Sequence, residues 1–262
     1  MRQQGISRRC LLGFATVAGS SLALAGCSNF DFLGDRDNDV REFLSSANGL
    51  TYRMQRLLLG NTWLAPEYTE ADIRQAQRPN GTTAVGTEEY TRLANDGFSA
   101  YRLTVGGLVE RPASFSLAEL RNMPSRTQIT RHDCVEGWST IAKWAGVPLS
   151  AVLDQVRPRP DSRYVVFHCF DNVQSDGAEV QFYGSIDLVD ARHPQTILAY
   201  TMNDAPLPVA NGAPLRVRVE RQLGYKMSKF IKSIELVSSL AEIQGGHGGY
   251  WEDQGYDWYA GI

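Results

Sequence analysis

The sequence predicts an α+β fold. Strand-like and helical segments follow one another irregularly and do not form a repeating strand-helix-strand pattern. The 262 residues include 43% hydrophobic and 21% charged residues, as in ordinary soluble globular proteins. A chain of this length can build one large domain or two small ones around a sizeable core.

The segments before residue 100 predict a helix followed by an extended arm. Apolar residues from Val40 to Leu58 recur at helical spacing, which predicts a helix over 39–59, either continuous or broken at Gly49. Residues 60–98 contain clusters of Gly, Pro, Asn and Thr and few periodic runs, which predicts a loop-rich arm. A loop of that length inside a compact domain is typically functional.

The segments after residue 100 predict strands mixed with short helices. A capping box of Ser116 and Glu119 predicts a helix over 116–120, and Pro148 opens another over 148–156. A third short helix is predicted over 185–191. Alternating or β-branched residues predict strands over 101–109, 127–131, 163–170, 196–202, 214–219 and 231–237.

The first 26 residues have the features of a targeting segment. Arg8 and Arg9 precede the apolar run 11–25, which is too short to span a bilayer comfortably and suits the core of a signal peptide. The arginine pair indicates Tat export. The run ends in LAGC (24–27), which resembles a bacterial lipobox and implies a lipidated Cys27; a plain signal peptide cut nearby is the alternative. Residues 27–38 predict a polar tether, so we expect a protein anchored to a membrane in the periplasm.

Charge and common motifs exclude several classes of function. The net charge is −3, and removal of residues 1–26, with three Arg and no acid, leaves 23 basic and 29 acidic residues, a charge of −6. This balance gives no support for nucleic-acid binding. The chain also lacks GxGxxG after a strand, GxxxxGK[ST], HExxH and CxxC, so nicotinamide, P-loop nucleotide and zinc-finger interpretations are unsupported.

Of the four cysteines, Cys10 lies in the signal segment and Cys27 is the expected lipid anchor, which leaves Cys134 and Cys169. In an oxidising compartment two such cysteines form a disulfide by default. The stretch RHDCVEGW (131–138) is, however, too charged for a cysteine that only fills a core. A structural thiol, a nucleophile and a metal ligand therefore stay open alongside the disulfide.

A second unusual stretch, residues 211–229, concentrates cations around an Asn-Gly turn. Arg forks, Lys point charges and Gly-permitted backbone N–H groups are what an anion site needs. In the alternative interpretation, Arg216 and Arg218 lie on the solvent face of an alternating strand, and Lys229 and Lys232 lie on a solvated turn. The cations are Arg216, Arg218, Arg221, Lys226 and Lys229.

Three ordered blocks resemble the molybdopterin-binding domain of the sulfite oxidase family, most nearly that of the periplasmic methionine-sulfoxide reductase catalytic subunits. They are TRHDCVEGW-STIAKWAGVPLSAVL (130–153), YTMNDAPLPVANGAPLRVRV (200–219) and GYKMSKFIKSIELV (224–237). The likeness covers roughly 80–240. It implies a single compact α+β domain of mixed sheets with short helices over 80–262, ending in an aromatic tail, after a helical and loop arm over 39–79.

The resemblance implies that Cys134 is a thiolate ligand of molybdenum. A soft thiolate binds the metal only when it is deprotonated, and nearby cations favour that form. We expect Arg131 and His132 to supply these cations, and we expect His132 to be the catalytic or substrate-orienting residue as well.

The resemblance also implies a set of residues that hold the cofactor. Asn211 and Arg216 match positions that hold the pyranopterin, and Met227, Ser228 and Lys229 match a tripeptide that grips the terminal phosphate. Asn80 is a looser match to an N-terminal cofactor residue. Cys169 stands where the reductases have Thr, and we expect a free thiol there. A single phosphate site favours the mononucleotide form of molybdenum-molybdopterin.

The expected function is oxygen-atom transfer, with reduction of an S-oxide or N-oxide favoured. Sulfite-type oxidation is the alternative, disfavoured because VEGWSTI lacks the Arg that sulfite oxidases carry after the ligand Cys. A non-catalytic binding lipoprotein with a Cys134–Cys169 disulfide is the other alternative. We expect a monomer that receives electrons from a separate partner, either a membrane haem protein or a soluble cytochrome.

Overall fold

The computed structural model describes residues 39–175 and 177–262. The predicted signal peptide, Cys27 and the tether lie outside these residues. The chain divides into two compact units, Met1–Thr51 and Tyr52–Ile262. Within the described residues, no helix is both long and apolar enough to cross a membrane.

The first helix, α1, runs unbroken over Asp39–Leu59, so the alternative of a break at Gly49 is wrong. Its last turns belong to the second unit and are fixed there by ion pairs. Arg56 donates to Asp187 at 3.0 Å and to Asp190 at 2.8 Å, and the Tyr52 hydroxyl donates to Asp187 at 2.8 Å.

The arm that follows contains more regular structure than its composition predicts. A 3-10 turn covers Glu70–Asp72, and helix α2 covers Glu88–Asn95 with Thr87 as its N-cap. Tyr90 is the one buried residue of α2, and its hydroxyl donates to the carbonyl of Ala213 at 2.7 Å. A helix that buries a single side chain leaves no periodic hydrophobic pattern, so hydrophobic periodicity did not predict it.

One five-stranded sheet contains the first and the last long strands of the domain. Its strand order is β2-β1-β10-β5-β6, and β1 and β10 are parallel while the other neighbours are antiparallel. Strand β6 was not predicted, because its first half is only partly buried. The strands are β1 (Arg102–Gly107), β2 (Ala113–Ser116), β5 (Tyr164–Ser175), β6 (Ala178–Asp187) and β10 (Ile231–Val237).

The second sheet carries the two stretches that the sequence singled out. Its order is β3-β4-β7-β8, and the short β9 pairs with β7. Strand β3 leads directly to Cys134, and β9 holds Arg216 and Arg218. The strands are β3 (Arg126–Asp133), β4 (Ser139–Pro148), β7 (Ile197–Met202), β8 (Ala205–Pro206) and β9 (Arg216–Arg218).

Four short helices complete the domain. They are α3 (Leu117–Asn122), α4 (Leu149–Val156), α5 (Leu188–Ala191) and α6 (Tyr250–Asp253). The Ser116–Glu119 capping box of α3 is present as predicted. The predicted helix over 185–191 is correct only for its second half, because 185–187 is the end of β6. The main hydrophobic core includes Val165 and Leu236 of the first sheet, Leu198 and Val217 of the second, and Leu153 of α4.

Candidate active site

Cys134 lies at the tip of a hairpin between β3 and β4. The hairpin closes through hydrogen bonds from the Cys134 amide to the Trp138 carbonyl (2.9 Å) and from the Gly137 amide to the Cys134 carbonyl (3.0 Å). Gly137 has a φ of 81°, a conformation that favours glycine. The thiol is partly exposed and is not joined to the buried Cys169. The hairpin therefore presents a free thiol at the edge of the second sheet.

The surroundings of Cys134 differ from the expected ones. Burial raises the pKa of its thiol, the charge of Glu136 acts in the same direction, and Arg78 opposes them. Arg131 instead points along its own strand and donates to Asp133 at 2.9 Å. The expectation that Arg131 and His132 supply the cations at Cys134 is wrong, because Arg131 is held by Asp133 and His132 is neutral. The cation near the Cys134 thiol is Arg78, which belongs to the arm.

Arg78 is a residue of the site that sequence reasoning missed. Its guanidinium lies 4.9 Å above the Trp138 ring and donates to Glu136 at 3.3 Å, and the Trp138 indole N–H donates to the same carboxylate at 2.8 Å. The only sequence signal was its place in an irregular arm of a length typical of functional loops.

His132 is buried and neutral. Burial and the charges of Arg218, Arg216 and Lys229 hold its pKa well below the usual value. Arg218 Nη1 donates to Nδ1 at 3.0 Å, so the proton of the neutral ring lies on Nε2. Nε2 is buried without a hydrogen-bond partner in the described structure. A β-carbon at Gly224 would lie 2.4 Å from Nε2, so the glycine makes room for this ring.

The position of His132 depends on a fully buried ion pair. Arg218 donates to both carboxylate oxygens of Glu220, at 2.9 Å and 2.6 Å, and neither side chain is exposed. Gln128 also donates to Glu220, at 2.7 Å, and the Arg218 guanidinium lies 4.4 Å above the Trp144 ring. The alternative that Arg216 and Arg218 face solvent is wrong, since both are buried in β9.

Arg216 lies beside this pair without a carboxylate of its own. It donates to the carbonyl of Asn211 at 3.0 Å and to Asn80 Oδ1 at 3.3 Å, and its Nε has no partner in the described structure. Burial, reinforced by the charge of Arg218, lowers its pKa to about 9. Neutral oxygens alone do not offset the cost of a buried cation.

Lys229 is also buried without forming an ion pair with a carboxylate in the described structure. Its ammonium donates only to carbonyl oxygens, those of Asn80 (2.7 Å), Ala210 (2.9 Å) and Thr82. Burial, followed by repulsion from Arg216, lowers its pKa to about 7. The other predicted cations are neutralised: Arg221 pairs with Asp190 at 2.7 Å, and Lys226 pairs with Glu252.

The arm joins the two parts of the site. Arg78 contacts Glu136 and Trp138 next to Cys134, and two residues later Asn80 contacts Arg216 and Lys229. Segment 78–82 thus runs from the thiol to the cations. The structure brings together the predicted residues Cys134, His132, Asn80, Asn211, Arg216 and Lys229.

The predicted tripeptide lines a small cavity at the far end of the site. Met227, Ser228 and Lys229 border about 50 Å³ of space together with Asn80 and Asp171. Asp171 is a second residue that sequence reasoning missed; burial raises its pKa to about 6, and its Oδ1 has no partner in the described structure.

Cys169 lies close to the tripeptide. Its thiol is fully buried, which raises its pKa well above the usual value, and the Ser228 hydroxyl acts in the opposite direction. The structure therefore has a free thiol where the resemblance implies a cofactor contact.

The site is a pocket for an anion next to a soft ligand. Neither Arg216 nor Lys229 forms an ion pair with a carboxylate in the described structure, and the charges of Glu220 and Asp171 offset their burial only in part. Unpaired polar atoms of His132 and Arg216 belong to the same group of residues. A phosphorylated pterin would supply the missing charge and acceptors, and Cys134 offers sulfur for a soft metal. The residues fit a molybdenum-molybdopterin group.

Comparisons with known proteins agree with this chemistry. Residues 91–242 match the family model of the oxidoreductase molybdopterin binding domain. The chain is 35% identical over 255 residues to YedZ1 of Azospira oryzae, provisionally named as a protein-methionine-sulfoxide reductase subunit. The aligned residues are 97% of this chain and 88% of YedZ1. The chain is 38% identical over 151 residues to the protein-methionine-sulfoxide reductase catalytic subunit MsrP of Xanthomonas axonopodis. The aligned residues are 55% of this chain and 47% of MsrP.

A solved structure, the sulfane dehydrogenase SoxCD from Paracoccus pantotrophus, covers 56% of this chain and 40% of that chain, with a TM-score of 0.48 and 21% identity.

The fold and the site define a molybdenum-dependent oxidoreductase of the α+β class. The chain belongs to the oxidoreductase molybdopterin-binding domain family, of the sulfite oxidase type. The predictions of fold class, cofactor class and enzymatic activity are confirmed. The roles assigned to individual site residues stay predictions.

Proposed function

We propose that this enzyme reduces S-oxides, with the sulfoxide of methionine, free or within a protein, as the substrate class. The names of two relatives support this choice. The overall reaction takes two electrons and two protons, breaks the S–O bond and releases a thioether and water. The electrons come from a separate partner, either a membrane haem protein or a soluble cytochrome.

The cofactor would be held by residues from four parts of the chain. Cys134 would bind the molybdenum through its sulfur, and Asn80, Asn211 and Arg216 would hold the pyranopterin beside Cys169. Met227, Ser228 and Lys229 would bind the terminal phosphate. The bound molybdenum centre supplies the redox and oxygen-transfer chemistry. The single lysine in the small cavity supports the mononucleotide form.

The protein's own residues would orient the substrate. His132 stays neutral across the physiological pH range and keeps a proton on Nε2, so it can donate a hydrogen bond without carrying charge. Arg218 holds the ring in this tautomer. Trp138, whose ring lies 5.7 Å from that of His132, gives an apolar wall for a thioether group beside Cys134.

The observation that carries the proposal is the buried pair of Arg216 and Lys229 without carboxylate partners, next to a free, partly exposed Cys134. The test is the metal and pterin content of the purified protein, with methionine sulfoxide reduction by a chemically reduced viologen dye. We expect stoichiometric molybdenum and turnover in the wild type, and loss of both in Cys134→Ala. Protein that contains molybdenum but reduces no sulfoxide would overturn the choice of substrate.

Sulfite oxidation is a second candidate, and Arg78 is the observation that favours it. The lack of Arg in VEGWSTI counted against an anionic substrate, but the arm brings Arg78 to the same hairpin. Sulfite-dependent reduction of cytochrome c by the wild type, abolished in Arg78→Ala, would favour this reaction over sulfoxide reduction.

We propose further that the enzyme is exported by the Tat route and anchored in the periplasm through a lipid on Cys27. The RR pair and the LAGC sequence support this proposal. Metabolic labelling with a radioactive fatty acid tests it: the wild type should incorporate label, and Cys27→Ser should not. A wild type without label would exclude the anchor.

A further inference from the structure

Large apolar side chains are exposed where α1 ends and the arm begins. Eleven large hydrophobic residues are exposed in the described part of the chain, and five of them fall between residues 54 and 64. Leu57 is 77% exposed, Leu58 73% and Trp63 61%. Met54, Leu57 and Leu58 follow helical spacing and so lie on one face of α1. We call Met54, Leu57, Leu58, Trp63 and Leu64 the apolar face.

The backbone beneath the apolar face is fixed by buried polar side chains. Arg221 donates to the Gly60 carbonyl at 3.0 Å, and the His193 Nε2 lies 3.0 Å from the Trp63 carbonyl. The Gln195 amide accepts from the Ala65 amide at 2.8 Å and donates to the Ala65 carbonyl at 3.0 Å. The exposure of the apolar face is therefore held in place by the fold. It is not the result of a loosely attached arm.

The charged residues in the segment that carries the apolar face are all basic. No acidic residue occurs from Tyr52 to Pro66, although the chain as a whole is acidic. Arg56 points inward to Asp187 and Asp190, whereas Arg53 is exposed and the described structure gives it no ion pair. An exposed arginine beside exposed apolar side chains is complementary to an anionic surface with an apolar interior.

We propose that the apolar face docks on the surface of a phospholipid membrane that contains anionic lipids. An indole ring suits the boundary between head groups and hydrocarbon, and leucine and methionine side chains suit the outer hydrocarbon. Arg53 would contact the lipid phosphates. Docking in the plane of the interface needs no membrane-spanning helix.

The length of the chain before α1 agrees with this proposal. Residues 28–38 separate Cys27 from the start of α1 and reach at most about 40 Å when extended. A chain attached to a bilayer near residue 27, through a lipid or a signal segment, keeps the apolar face within reach of that bilayer. Docking would fix the orientation of a domain that the attachment alone leaves free to rotate.

The position of Trp63 is the direct test, because quenching by brominated phospholipids reports indoles at the bilayer. The full chain is placed on vesicles of brominated phosphatidylcholine with phosphatidylglycerol, and the emission of Trp63→Phe is subtracted from that of the wild type. We expect the Trp63 emission to lose most of its intensity relative to non-brominated vesicles. Arg53→Glu should reduce this loss on anionic vesicles and leave it unchanged on pure phosphatidylcholine.

A double variant and a matched control complete the experiment. Leu57→Ser with Leu58→Ser should abolish the quenching of Trp63 while the chain stays attached to the vesicles. Val209→Ser, which removes an exposed apolar side chain from another part of the domain, should leave quenching unchanged. Molybdenum content equal to the wild type shows that each variant is folded. Unquenched Trp63 in the wild type would overturn the proposal and indicate a protein partner or residues 27–38 on the apolar face. Quenching that survives the double substitution would also overturn it, because Trp63 would then reach the bilayer without the apolar face.

Discussion

Lys229→Met is expected to reduce the rise in stability of the cofactor-free protein between pH 7 and pH 9. Burial, helped by Arg216, lowers the pKa of Lys229 from 10.5 to about 7 in the folded state. Above pH 7 the folded protein loses this proton and the unfolded chain keeps it, so stability rises with pH up to the unfolded pKa. Over two pH units the gain from this group is about 2 kcal/mol.

The measurement is urea unfolding of protein made without molybdopterin, at pH 7 and at pH 9. The wild type should gain about 2 kcal/mol more than Lys229→Met over this interval. Lys232→Met is the control, because the Lys232 side chain is 40% exposed and pairs with Glu89 at the surface. Bound cofactor should remove most of the difference, since a phosphate beside Lys229 raises its pKa again. Equal pH dependence in the wild type and Lys229→Met would refute the argument that burial deprotonates Lys229.

Three further substitutions probe the residues around the site. Arg218→Met leaves Glu220 buried without its partner and should destabilise the protein by about 3–5 kcal/mol in urea unfolding, whereas a loss below about 1 kcal/mol would show that the pair is not needed. Gly224→Ala puts a methyl group against the His132 ring and should lower kcat while molybdenum content stays near that of the wild type; unchanged kcat would show that the ring position is not critical. Cys169→Thr should retain the pterin and cost about 1 kcal/mol of stability, and loss of the pterin would indicate a specific requirement for the thiol.

The sequence predicted best those elements whose signals are local. The capping box of α3 depends on two residues three positions apart, and β5 begins with a continuous apolar run. Strand β4 was not identified as a strand from its pattern, since Lys143 and Gly146 interrupt its apolar residues. Gly146 is required there by tertiary contact, because a β-carbon would lie 2.2 Å from the Leu198 carbonyl of the neighbouring strand.

The site was predictable only as far as its residues lie within recognisable blocks. Cys134, Arg216 and Lys229 belong to such blocks, and the structure places them in one site with Asn80. Arg78 and Asp171 lie outside any motif, and only the folded arm and strand bring them there. The sequence also did not predict that Arg218 is buried. A short alternating strand has the same pattern whether its arginine contacts solvent or the carboxylate of Glu220.

The parallel pairing of β1 with β10 sets the order of events in biosynthesis. Thr104 lies opposite Ser233, so the first sheet cannot close until the chain beyond residue 233 has left the ribosome. The site likewise needs Asn80 from the arm and Lys229 from the last part of the domain. A ligand held by both residues cannot bind a nascent chain, and its insertion is a post-translational event that follows synthesis of almost the entire polypeptide.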